Sequence, residues 1–292
     1  MKRLLLLSII ILTIGCSEGS NKLKTGYIEL EGSRLYYEEK GSGRPVIMIH
    51  GGMLDRRMWD DQFDLFAEKY RVIRYDVRAH GKSGGADSTF IDSEDLHVLV
   101  HQLDIESAAI FGLSMGGQIA TDFAIAHPQR VSALILAGAS VSGFNNFVSK
   151  EIVKHIENMT KALNEGDFEK WVEVITRAVA DGPYRTPSEM DQAVREKILT
   201  MLEGSKLRWD LRDKAAFPDP PAIGRLDEIR CPILTLFGDK DFPEVMEISD
   251  LFKENVPGTR QVVIPDVAHI INMEKPEEFN RIVMEFLESI RY

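Results

Sequence analysis

Gly112-Leu113-Ser114-Met115-Gly116-Gly117 is the stretch that most restricts what this chain can fold into. It follows directly on the strand-like run Ser107-Ala108-Ala109-Ile110-Phe111 and opens a helical run from Gln118 to Ala124. A serine on so sharp a strand-to-helix reversal takes unusual backbone angles, and Gly112 and Gly116 leave room for the neighbouring strand and helix. A G-x-S-x-G turn of this kind needs a strand on one side and a helix on the other. It therefore calls for an α/β architecture.

The same alternation recurs along the chain. Tyr27-Ile28-Glu29-Leu30 and Leu35-Tyr36-Tyr37-Glu38 flank Gly32-Ser33 as an antiparallel hairpin would. Strand-like runs follow at Pro45 to Ile49, Arg71 to Tyr75, Ser107 to Phe111, Val131 to Leu136, Ile233 to Phe237 and Gln261 to Ile264. Helix-like segments lie between them, near 57–68, 93–103, 115–127, 244–255 and 275–290. The expected fold is a mainly parallel eight-stranded sheet flanked by helices. The alternation breaks over 142–221, where Ile152, Ile156, Met159 and Leu163, then Trp171, Val172, Ile175 and Val179, then Val194, Ile198, Met201 and Leu202 keep a helical period, with no credible strand. Phe217-Pro218-Asp219-Pro220-Pro221 ends this helical insertion, because a proline cluster cannot continue a helix. The core is thus expected from 26–141 and 222–292.

The first 15 residues stand apart: Lys2-Arg3, an apolar run from Leu4 to Ile14, then Gly15-Cys16. A run of about 11 residues is too short to cross a ~30 Å bilayer as a helix, so a removed export signal over 1–15 is expected, followed by a polar linker over 16–25. Leu12-Thr13-Ile14-Gly15-Cys16 resembles a bacterial lipobox, with Thr13 where Leu is usual. That resemblance implies export from a bacterial cytoplasm and peripheral membrane attachment through acyl chains on Cys16, on the periplasmic or cell-envelope side. Cys231 is then left without an intrachain partner, which excludes a disulfide framework or a cysteine metal knuckle.

Forty-six acidic residues stand against 35 basic ones, a net charge of -11, and no stretch interleaves bases with aromatics. A nucleic-acid partner is excluded on that ground. His97 and His101 are four apart on a helix-like run, but no third ligand accompanies them, so no metal is expected.

A serine hydroxyl is a poor nucleophile at neutral pH; it needs a base, and the base needs an orienting acid. Asp241, in Gly238-Asp239-Lys240-Asp241, and His269, in Asp266-Val267-Ala268-His269, follow the strands Ile233 to Phe237 and Gln261 to Ile264. Both lie past the carboxyl ends of parallel strands, where open α/β sheets gather their ligands. Asp239 is the rival acid and Asp266 a weaker one. The amide of Met115, at a helix start, and that of Gly52, in His50-Gly51-Gly52-Met53, are the expected donors to a developing oxyanion.

These motifs, with Tyr75-Asp76-Val77-Arg78-Ala79-His80-Gly81-Lys82-Ser83, His127-Pro128-Gln129-Arg130-Val131 and Glu274-Lys275-Pro276-Glu277-Glu278-Phe279, make the chain resemble the α/β-hydrolases of the cofactor-independent esterase, enol-lactonase and C–C hydrolase branch. Ala79 and Ala268 stand where such relatives often carry Gly. The resemblance implies Ser114 as nucleophile, Asp241 as acid, His269 as base and residues 142–221 as a helical cap over the pocket. Ser114, rather than an aspartate, at the turn excludes dehalogenation and epoxide opening. The expected reaction is acyl transfer to water from a small or medium carboxylic ester or lactone, without a cofactor. Two alternatives stand beside it: C–C hydrolysis of a diketone-like or dienoic acid, for which Arg177, Arg185 or Arg208 would bind a carboxylate, and a slow-turnover ligand-binding or signalling member of the fold. Phe144, Met159, Phe168, Trp171 and Trp209 are candidate pocket walls, although aromatics at helical spacing more often form a cap's own core.

Overall fold

A computed structural model describes residues 22–290; the leader, Cys16 and most of the linker lie outside the described residues. The strands are β1 (Lys24–Leu30), β2 (Ser33–Lys40), β3 (Pro45–Ile49), β4 (Arg71–Tyr75), β5 (Phe90–Ile91), β6 (Ala108–Leu113), β7 (Val131–Ala137), β8 (Ala215–Ala216), β9 (Ile233–Gly238) and β10 (Arg260–Ile264). The helices are α1 (Asp60–Ala67), α2 (Asp92–Gln102), α3 (Met115–Ala126), α4 (Lys150–Glu165), α5 (Phe168–Thr176), α6 (Gln192–Glu203), α7 (Lys206–Asp210), α8 (Pro243–Asn255), α9 (Ile271–Glu274) and α10 (Pro276–Ser289).

Eight strands form one sheet in the order β1-β2-β4-β3-β6-β7-β9-β10. The pairings β1 with β2 and β2 with β4 are antiparallel; every later neighbour is parallel. Parallel strands covered on both faces need apolar side chains on both, and β3 and β6 are accordingly continuous apolar runs. In β3 the period of two divides the chain: Val46 and Met48 face a cluster with Phe66, Phe111 and Phe279, whereas Ile47 and Ile49 face one with Leu96, Phe123 and Phe252. Helices α1 and α10 cover the first face, and α2, α3 and α8 the second.

Helices α4 to α7 fall between β7 and β9, inside the interval read as an insertion. Their aromatics pack on one another: Trp171 lies 5.1 Å from Trp209 and 6.0 Å from Phe168, centroid to centroid. These three therefore pack together as the core of the inserted helices. The expectation that 142–221 holds no strand is corrected by β8, which pairs in parallel with β5 and fastens the end of the insertion to the core. Two residues carry no readable period, so the strand left no trace in the pattern.

The chain crosses between core and insertion at a buried polar seam. The Ser142 hydroxyl donates to Asp122 Oδ1 (2.6 Å) and accepts from the Ala222 amide (2.8 Å), while the Ile223 amide donates to the Ser142 carbonyl. Among the described residues, no helix is long and apolar enough to cross a membrane.

Candidate active site

Ser114 sits between β6 and α3 at φ 53° and ψ −114°, outside the regions that side chains ordinarily favour. The surrounding turn holds it there: its amide donates to the Ala137 carbonyl, and its carbonyl accepts from the amides of Gly117, Gln118 and Ser140. No side chain fits at the flanking glycines. A Cβ on Gly112 would lie 2.3 Å from the Gly116 carbonyl oxygen, and one on Gly116 would lie 2.3 Å from that of Ile49.

His269 follows β10 and points its Nδ1 at Asp241 Oδ2, 2.7 Å away. The other oxygen of Asp241 accepts from the Phe242 amide at 2.8 Å, so the carboxylate is held from both sides. Asp239, the rival acid, is turned elsewhere: it accepts from the Asp266 amide at 2.7 Å and lies beside Lys240. Gly138, at φ 49°, passes close against the His269 ring, where a Cβ would come within 3.2 Å of it. Burial opposes the His269 cation, but the adjoining Asp241 charge and hydrogen bond outweigh it and raise the ring's pKa above the ordinary 6.5.

Met115 is the first residue of α3, so its amide has no partner within the helix. Gly52 lies beside it; a Cβ there would be 3.7 Å from the Met115 Cβ. Among the described residues, neither amide donates to a protein group. Two neutral histidines hold the Gly52 loop. His50 Nε2 accepts from the Val77 amide and His80 Nε2 from the Met53 amide, which leaves Nδ1 of each to donate to a carbonyl, of Gly51 and Arg78 respectively. Burial lowers both pKa values, so neutrality is the favoured state.

Ser114 and His269 line one cavity of about 220 Å³, walled by Phe144, Phe147, Val179 and Phe242. Three lining residues carried no sequence signal of their own. His155 comes from α4 of the insertion, Phe242 precedes α8, and buried Glu244 accepts from the amides of Val148 and Ser149 and from the Ser149 hydroxyl, holding the start of α4 over the cavity. The three arginines considered as carboxylate ligands are engaged: Arg177 with Asp181, Arg185 in a two-bond pair with Glu274, Arg208 with Asp92. None of them lines the Ser114 cavity. Elsewhere, His97 stacks on His127 with centroids 4.1 Å apart, and burial pushes the Cys231 thiol up to about 12.

A family model described as alpha/beta hydrolase fold matches residues 44–276. Among curated proteins, the chain is similar to the 2-hydroxy-6-oxononadienedioate/2-hydroxy-6-oxononatrienedioate hydrolase 2 of Pseudomonas putida, 27% identical over 95% of this chain and 100% of the relative. It is also 24% identical to the (E)-2-((N-methylformamido)methylene)succinate hydrolase of Acinetobacter baylyi, over 90% of this chain and 97% of that one. Among solved structures, a thermophilic esterase from Thermogutta terrifontis superposes with a TM-score of 0.72 at 26% identity, covering 91% of this chain and 98% of the other. The enol-lactonase from Burkholderia xenovorans LB400 superposes with a TM-score of 0.74 at 21% identity, covering 90% and 100%, a likeness of fold.

Proposed function

The chain belongs to the alpha/beta hydrolase fold family and is a hydrolase, and from that premise we propose that it is a serine hydrolase that cleaves a small or medium carboxylic ester or lactone through an acyl-enzyme. The observation that carries this reading is the 2.7 Å Asp241–His269 pair opening on the same cavity as the strained Ser114. Asp241 fixes the proton on Nδ1 of His269, which leaves Nε2 as the base. His269 takes the proton of the Ser114 hydroxyl, the serine oxygen bonds to the substrate carbonyl carbon, and the Gly52 and Met115 amides stabilise the oxyanion. Collapse breaks the bond to the leaving group, which departs with the proton from His269. Water, deprotonated by the same ring, then attacks the acyl-enzyme, releasing the acid and restoring Ser114.

The second reading is C–C hydrolysis of a diketone-like or dienoic acid. The names of several relatives favour it. The engagement of Arg177, Arg185 and Arg208 in ion pairs outside the Ser114 cavity favours the ester or lactone.

Intact-mass analysis after incubation with a small fluorophosphonate tests the nucleophile directly. One adduct on the protein, absent from Ser114→Ala, is the expected result; an adduct that survives in the variant, or none on the parent, overturns the reading. Repeated turnover of a simple aryl ester with no cleavage of a diketone separates the ester reading from the C–C one and removes the slow-receptor alternative.

A further inference from the structure

Beside the Ser114 cavity lies an open cleft of about 540 Å³ between α4, α5 and the turn that follows α5. The two spaces share His155, Ala178 and Phe242 as walls, so the cleft adjoins the Ser114 cavity on its solvent side. Its rim carries Lys150, Lys154, Lys170 and Arg177 against Glu151 and Glu173, an excess of cations in a chain whose net charge is -11.

Two of these cations are placed at a cost to the fold. Lys150 is the first residue of α4, where the helix dipole disfavours positive charge. Lys154 is four residues on, one turn along the same face, where like charges repel. Neither makes an ion pair among the described residues, whereas Lys170 is paired with Glu173. Arg177 lies against buried Asp181, and that single carboxylate also serves Arg195, so the cluster keeps a net positive charge. Uncompensated cations at the entrance to a low-dielectric site attract anions and concentrate field there.

We propose that the substrate is anionic, with a carboxylate at the end remote from the scissile carbonyl: the carbonyl meets Ser114 while the carboxylate lies in the outer cleft against Lys150 and Lys154. This rests on the serine-hydrolase reading and narrows it to carboxylate-bearing esters or lactones.

The test compares the mono-para-nitrophenyl ester of adipic acid with para-nitrophenyl hexanoate, equal in chain length and differing in the terminal carboxylate, on the full-length protein. The parent is expected to prefer the anionic ester in kcat/KM, with a preference that shrinks as salt is added. In Lys150→Glu/Lys154→Glu the anionic-to-neutral ratio should fall about tenfold or more at low salt; Lys197→Glu, the same charge change outside the cleft, should leave the ratio as it was. Turnover of both esters with no preference in the parent, or an unchanged ratio in the double variant, overturns the anionic subsite alone. Turnover of neither, with no fluorophosphonate adduct, overturns the serine-hydrolase reading and the subsite with it.

Discussion

Asp239 and Asp241 are two residues apart on one loop and carry the same chemistry, so spacing cannot choose between them. Packing does: the Asp239 carboxylate is occupied by the Asp266 amide, and the Asp241 carboxylate faces His269. The raised pKa of His269 has two consequences of opposite sign. In the proposed mechanism the general base works only when neutral, so kcat/KM should rise with pH through a midpoint above 6.5. The stabilisation from the His269 cation beside Asp241 is fully present below the unfolded-state value and is lost as pH rises through the folded one. Asp241→Asn removes the charge that raises the ring, so its acid limb should move to lower pH and turnover should drop about 10³-fold or more. A pH–rate profile of both proteins checks this; an unshifted limb with near-parental turnover would assign the orienting role elsewhere.

At the level of elements, the strand-to-helix turn at Ser114 was legible because much of its demand is local: a Cβ on Gly112 would strike the Gly116 carbonyl four residues on, and an amide is left free at the start of α3. The seam between core and insertion was not legible, because Asp122, Ser142 and Ala222 are far apart in sequence and meet only in the fold. Burial pushes Asp122 up to about 6, and hydrogen bonds from Ser142 and Gln118 offset this only in part. A carboxyl raised on folding binds more protons in the folded state, so its contribution to stability declines as pH climbs from about 4 through about 6 and stays low above that. Asn keeps an oxygen for the Ser142 hydroxyl without the buried charge. Asp122→Asn should therefore gain about 1–3 kcal/mol relative to the parent at pH 8 and about half of that at pH 5. Thermal unfolding at the two pH values decides; an equal effect at both would show that Asp122 stays ionised without penalty.

Across the whole molecule, the insertion contributes His155 and Val179 to the cavity and the cations to its outer cleft. Its aromatics Phe168, Trp171 and Trp209 pack on one another, so of the candidate walls in the sequence Phe144 lines the cavity, whereas those three pack within the insertion. Cys16 lies outside the described residues. We propose that Cys16 is acylated, on the strength of Leu12-Thr13-Ile14-Gly15-Cys16 after an apolar run. Labelled palmitate fed to an expressing bacterium should appear on the parent and vanish from Cys16→Ser. Retention of label by the variant would sink the proposal.

The amino-acid order alone determined the alternation that makes a parallel sheet, the turn that presents Ser114 and the positions past strand ends where Asp241 and His269 fall, because each rests on a local period or a local steric demand. Tertiary structure alone decided which carboxylate faces His269, that Arg185 and Arg208 are spent on ion pairs, and that cations of the insertion gather beside the serine's cavity. These depend on side chains remote in sequence coming within hydrogen-bond or van der Waals reach, and no local pattern encodes that distance.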